Sequence, residues 1–100
     1  MASSVSVLFE PTAERELDDA IEWYQHRAGL GDDLAAEVGR CIERIRERPE
    51  MYARVKKDYR RAMVDRFPYA IYYEFIANTV IIYSVFHCSR DPAKLDKLLP

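Results

Sequence analysis

Glycine and proline are scarce in this 100-residue sequence, with 3 and 5 copies. That scarcity excludes a collagen-like or low-complexity chain. Cysteine is rarer still. Cys41 and Cys88 stand far apart, with no CxxC spacing. Two thiols so separated make no disulfide framework, and they read as reduced side chains, one on a helix and one at a strand end. No stretch approaches the apolar length of a membrane span. The opening MASSVSVLFEP has neither a basic stretch nor an apolar run of leader length. The expectation is therefore a cytoplasmic chain with no membrane partner. There is no HxH, no HxxxH and no cluster of Cys and His, so no metal site and no cofactor are expected. A glycine-rich phosphate loop and a GxSxG elbow are missing too.

What is present is apolar material and uneven charge. Hydrophobic residues make up 49% of the chain, enough for a modest core in one domain spanning 1–100. The formal charge is −2. Residues 1–50 carry 6 Lys/Arg against 12 Asp/Glu, whereas residues 51–100 carry 9 against 5. An acidic half beside a basic half argues for a directed surface, and against a uniformly basic nucleic-acid binder.

The hydrophobic pattern orders the elements. Val5 to Phe9 reads as an edge or first strand, ended by Glu10-Pro11. Thr12 is placed to cap a helix whose apolar face is Ala13, Leu17, Ala20, Ile21, Tyr24 and Ala28, and Gly29 stops it. Asp32 or Asp33 is placed to cap a second helix. Its stripe is Leu34, Val38, Ile42 and Ile45, its charged face includes Glu37 and Arg40, and Pro49 closes it. The short link between them predicts an antiparallel helical hairpin.

From Tyr59 the period becomes that of strands. YRRAMVD alternates weakly. PYAIYYEFI puts Tyr69, Ile71, Tyr73 and Phe75 on one face and Ala70, Tyr72, Glu74 and Ile76 on the other. Asn78 suits a tight turn. TVIIYSVFHC is apolar on both faces, as a covered central strand is. Asp91 or Ser89 then caps a short last helix, docked by Leu95, Leu98 and Leu99. The order is β-α-α-β-β-β-α. The class is α+β: an antiparallel sheet with a helical hairpin on one face and a short C-terminal helix.

Three groups of residues carry possible chemistry. Arg54, Lys56, Lys57, Arg60, Arg61 and Arg66, relieved by Asp58 and Asp65, form a basic cluster leading into and along the first hairpin strand. Such a cluster holds phosphates or an acidic peptide, or it is simply a strand edge protected by charge. His87, followed by Arg90 in HCSRDP, is a candidate general acid or base, or a structural residue. Tyr69, Tyr72, Tyr73 and Tyr83 fill a sheet surface or, if exposed on one face, stack bases.

Five segments, taken in order, carry a family resemblance: FEPTAERELDDAIEWY, GLGDDLAAEV, IRERPEMYARV, YRRAMVDRFPYAIYYEF and VIIYSVFHCSRDP. The set resembles the RelE/ParE toxin superfamily of bacterial toxin–antitoxin modules, from about Val7 to Pro92. Each segment alone is weak, whereas RR…RFPY.IYY followed by H..RDP is fairly specific.

The resemblance implies a small toxin bound by a cognate antitoxin through a partly disordered, often acidic segment that folds on binding. It implies operator DNA only through the antitoxin. It implies Arg54, Lys56, Lys57, Arg60, Arg61 and Arg90 as the antitoxin- or target-binding residues. Two targets follow from it, DNA gyrase for ParE-like members and ribosome-bound mRNA for RelE-like endoribonucleases. In the second branch Arg61, Arg66 and His87 are the catalytic candidates. The acidic balance, Tyr69 or Ala70 where mRNA-cutting members often carry arginine, and Cys88 after His87 favour the ParE-like branch, a binding toxin more than an enzyme. The alternatives are the endoribonuclease and a non-toxic relative that still binds an antitoxin.

Overall fold

The computed structural model describes residues 4–100. β1 is Ser6–Phe9, α1 Pro11–Ala28, α2 Gly31–Glu47, β2 Arg54–Lys56, β3 Tyr59–Met63, β4 Tyr69–Ile76 and β5 Thr79–His87. A single 3-10 turn at Pro92–Lys94 leads into α3, Leu95–Leu98. The five strands lie in the order β1-β5-β4-β3-β2. From β2 to β5 every pairing is antiparallel, whereas β1 joins β5 in parallel. The α+β class and the element order agree with the sequence reading, and the sheet is mixed at that one edge. The reason is topological: the helical hairpin and three strands lie between β1 and β5 in the chain, and so long a connection permits a parallel pair where a short hairpin does not. One strand was not expected. β2 is three residues long, exposed on two of them and too short for a period to show.

The helical hairpin rests on backbone chemistry at its corner. Gly29 takes a left-handed conformation with φ 67° and closes α1, its N–H bonded to the Gln25 carbonyl. Glycine adopts that conformation without steric cost. Gly31 has a different role. A Cβ there would lie 2.8 Å from Gln25 Oε1 and 3.0 Å from the Ile21 carbonyl, so only glycine lets the turn pass α1 this closely. Both expected caps fall elsewhere. Glu10 precedes α1 with Pro11 at its first position, which places Thr12 inside the helix. Gly31 opens α2, and its N–H is satisfied by the Gln25 side chain at 3.1 Å, leaving Asp32 and Asp33 in the first turn. There they favour the helix dipole.

The core lies between this hairpin and one face of the sheet. Leu34, Val38, Cys41 and Ile45 of α2 and Ala13 and Ala20 of α1 meet Ala62, Tyr69, Ile71, Tyr73, Val80, Ile82 and Val85. The alternation in β4 appears as the sequence predicts, with Tyr69, Ile71, Tyr73 and Phe75 on the helix side. Tyr73 is fully buried, and its hydroxyl donates to the Pro49 carbonyl at 2.7 Å. Burial raises its ionisation well above the usual phenol range, so it stays neutral.

On the opposite face Tyr59, Ala70, Tyr72 and Phe86 are covered by Leu95, Leu98 and Leu99 of the C-terminal segment. The tyrosines of β4 and β5 are thus divided between two buried layers and form no open stacking platform. Asp91 caps the last turn, accepting from Ala93 N at 3.0 Å. β4 and β5 are joined through Ala77 and Asn78, both at positive φ, the two-residue turn that matches strand twist. A bulge beside Tyr72 and Tyr73 leaves Tyr83 out of register, and its hydroxyl donates to Glu74 at 2.7 Å.

Candidate functional site

The basic cluster is built on the β2–β3 hairpin, whose turn runs through Lys57 at φ 51°. Its cations are not equivalent. Arg60 faces the helix side and donates to the Glu50 and Tyr52 carbonyls at 3.0 and 2.7 Å, so it holds the loop after α2. Lys56 pairs with Asp96 of α3 at 2.8 Å and ties the C-terminal helix to the hairpin. Arg54 is within 3.9 Å of Asp58. Arg90 pairs with Glu16 at 2.8 Å and lies 4.4 Å from the Phe86 ring centroid. Lys57 and Arg61 are exposed, and neither side chain has a hydrogen bond or ion pair among the described residues. Arg61 lines a cleft of about 410 Å³ between the hairpin and the C-terminal segment, together with Lys56 and Tyr72.

The three catalytic candidates occupy three places. Arg61 is opposite Tyr72 in the register, on the face that carries the C-terminal segment. His87 is opposite Tyr69, on the helix face. Arg66, at φ 69° in the β3–β4 loop, reaches α2 and pairs with Glu37 at 3.3 Å and Asp33 at 3.6 Å. The sheet therefore separates Arg61 from His87, and Arg66 is engaged with a helix. His87 does share a cleft with Arg90. Its Nδ1 accepts the Ser89 N–H at 3.0 Å, which places the proton of the neutral ring on Nε2.

Glu37 overturns its expected place on the charged face of α2. It is 6% exposed, and Arg40 and Arg66 converge on it. The hydrogen bond from Arg40 is the largest influence and holds its carboxyl below the usual range, against the opposing effect of burial.

Two residues that matter here were not singled out from sequence. Glu16 accepts from Ser84 Oγ at 2.8 Å and Val85 N at 3.1 Å, besides pairing with Arg90. β1 ends at Phe9, opposite Ile82, so the outer edge of β5 beyond that point has no strand neighbour, and Glu16 satisfies it. Trp23 is 51% exposed and stands outside the apolar stripe of α1. A tryptophan on the polar side of an amphipathic helix was the available signal.

A family model described as the ParE toxin of type II toxin–antitoxin systems, parDE, matches residues 7–92. The chain belongs to that family. Among solved structures, this ParE-family chain is similar to one described as a chromosomal ParDE TA system from P. aeruginosa. The TM-score is 0.69 at 14% identity, over 86% of this chain and 98% of that one. At such identity the likeness concerns the fold. No curated protein matches the chain. The match begins and ends where the sequence resemblance does, and it takes in the hairpin and the His87 corner, whereas most of the C-terminal wall of the cleft at Arg61 lies beyond it. Among the described residues no helix is long and apolar enough to cross a membrane.

Proposed function

We propose that this ParE-family chain is a toxin that inhibits DNA gyrase by binding it, and that a cognate antitoxin neutralises it. The family match over residues 7–92 carries the reading. The separation of Arg61, Arg66 and His87 supports a binding toxin over a ribonuclease, because general acid–base catalysis needs its groups on one substrate. The antitoxin's acidic segment is matched to the β2–β3 hairpin, where Lys57 and Arg61 keep their charges unpaired. Operator DNA is reached only through that antitoxin.

The test is to induce the chain alone in a bacterium and pulse-label DNA and protein synthesis, with the purified chain added to a gyrase supercoiling assay. Early arrest of DNA synthesis together with loss of supercoiling is expected. Earlier arrest of protein synthesis, with mRNA cut on the ribosome, would replace this reading with the endoribonuclease. Normal growth in several hosts would leave only an antitoxin-binding relative.

A further inference from the structure

The cleft between α1 and the end of β5 has no task in the reading above. It measures about 350 Å³ and is lined by Glu16, Asp19, Trp23, Tyr24, Tyr69, His87 and Arg90, with Ala20 and Val85 beneath. Its walls are a continuous aromatic array. Trp23 meets Tyr24 edge-on with centroids 4.9 Å apart, Tyr24 meets Tyr69 at 6.3 Å, and Tyr69 meets His87 at 4.9 Å.

Two polar groups in it are unspent. Tyr69 is only 9% exposed, yet its hydroxyl has no hydrogen-bond partner among the described residues. Asp19 likewise has no hydrogen bond or ion pair among them. The Tyr69 ring is buried while its hydroxyl opens onto the cleft, and Asp19 stands exposed at its rim, so both can accept from an incoming donor.

The sign of that donor follows from charge. α1 carries five carboxylates against two arginines. Arg90, the cation in the cleft, is already neutralised by Glu16 at 2.8 Å. His87 is the other basic side chain there, and its Nδ1 accepts from the Ser89 amide. The Trp23 ring already carries one guanidinium: Arg27 lies 5.1 Å from its centroid and lines a neighbouring depression that shares Asp19 and Trp23 with the cleft, not the cleft itself. Guanidinium combines planar stacking with donors that suit a carboxylate.

We infer that this cleft is a docking site for an arginine side chain of a basic partner segment, held by Asp19 and the Tyr69 hydroxyl between the aromatic walls. It is distinct from the basic hairpin and would take a stretch of opposite charge. The inference does not depend on which target the toxin poisons.

Trp23 is the only tryptophan in the chain, so its fluorescence reports the surroundings of this one indole, and because Asp19 and Trp23 also border the depression at Arg27, Tyr69, which lines the cleft only, distinguishes the two. The experiment titrates the full chain with a hexa-arginine peptide and with a hexa-glutamate peptide of equal length. A saturable change with the first and none with the second is expected. Asp19→Asn should weaken hexa-arginine binding about tenfold, the scale of one lost charge-assisted contact. Asp18→Asn removes an equal charge from the next residue, which does not line the cleft, and should weaken it less than about twofold at physiological salt. Tyr69→Phe keeps the ring and should weaken it in the same direction as Asp19→Asn. No Trp23 response to hexa-arginine, or equal weakening by Asp18→Asn and Asp19→Asn, overturns the inference.

Discussion

Glu16 on α1 and Arg90 beyond the end of β5 meet at 2.8 Å across 74 positions of sequence. The same carboxylate also takes the Ser84 hydroxyl and the Val85 amide, so it joins helix, sheet edge and C-terminal turn. Glu16→Ala leaves those two donors inside the protein without an acceptor, and should cost about 2–3 kcal/mol. Glu16→Gln keeps an acceptor oxygen and should cost less. Arg90→Ala should cost about 1 kcal/mol, because Arg90 is partly solvated. Urea unfolding of the three variants checks the order. In a chain of this length each kcal/mol shifts Tm by about 4–8 °C. Equal losses for Ala and Gln at position 16 would mean that the charge alone matters.

Glu37 predicts an acid limit. Its carboxyl ionises below the ordinary value of 4.5 because Arg40, and then Arg66, hydrogen-bond the charged form. A group lowered in the folded state adds stability that is fully present above the unfolded value and is lost as pH falls through the folded one. The stability gap between wild type and Glu37→Gln should thus be constant near neutral pH and shrink as pH drops below about 4.5. Denaturant midpoints measured along that range test it. A gap that persists at low pH would assign Glu37 a role in packing alone.

The two thiols should behave as opposites. Cys41 is fully buried on the sheet-facing side of α2, and burial pushes its thiol above the usual value. Cys88 is exposed after β5. A thiol-reactive chromophore should label one cysteine in the folded chain and two in denaturant. Rapid labelling of both under native conditions would contradict the packing of α2 on the sheet.

The glycines of the helical hairpin make separate predictions. Gly29→Ala meets no atom within 4 Å, so its cost is the left-handed backbone alone, about 1–2 kcal/mol. Gly31→Ala would press a methyl group against the Ile21 carbonyl and the Gln25 side chain, and should cost about 1–3 kcal/mol by overpacking. Hydrogen exchange distinguishes them. The first should loosen the corner only, whereas the second should loosen α1 and α2 where they pack.

Much of this architecture is legible in the sequence because its signals are local. The alternation in β4 splits its residues between the two faces as read, and Gly29, Pro49 and Asn78 mark the corners they were expected to mark. What escaped depends on distance. The parallel pairing of β1 with β5 joins the two ends of the fold. Glu37 looks like a surface acid until Arg66, 29 positions away, reaches it. The cleft beside Trp23 exists only because β5 returns to α1, so no spacing in the sequence announces it. The basic cluster was visible as composition. Which of its members are occupied was not, because Arg60 spends its donors on carbonyls of a loop that has no pattern of its own.

That last difference separates occupied from unoccupied charge. Arg60 and Arg61 are neighbours in β3, yet they point to opposite faces. Arg60→Glu removes the donors to Glu50 and Tyr52 and sets a carboxylate against two carbonyls, so it should destabilise the fold by about 1–3 kcal/mol. Arg61→Glu breaks no side-chain hydrogen bond or ion pair among the described residues, and its stability should stay within about 0.5 kcal/mol of wild type. Its effect should fall on partners instead. Affinity for the cognate antitoxin should drop about tenfold at low salt, and the loss should shrink as salt screens the exposed charge. Calorimetric binding at two ionic strengths, beside thermal unfolding of both variants, tests the pair. An Arg61→Glu chain that unfolds early would place Arg61 in the scaffold. One that is stable and binds its antitoxin unchanged would take the hairpin out of the interface.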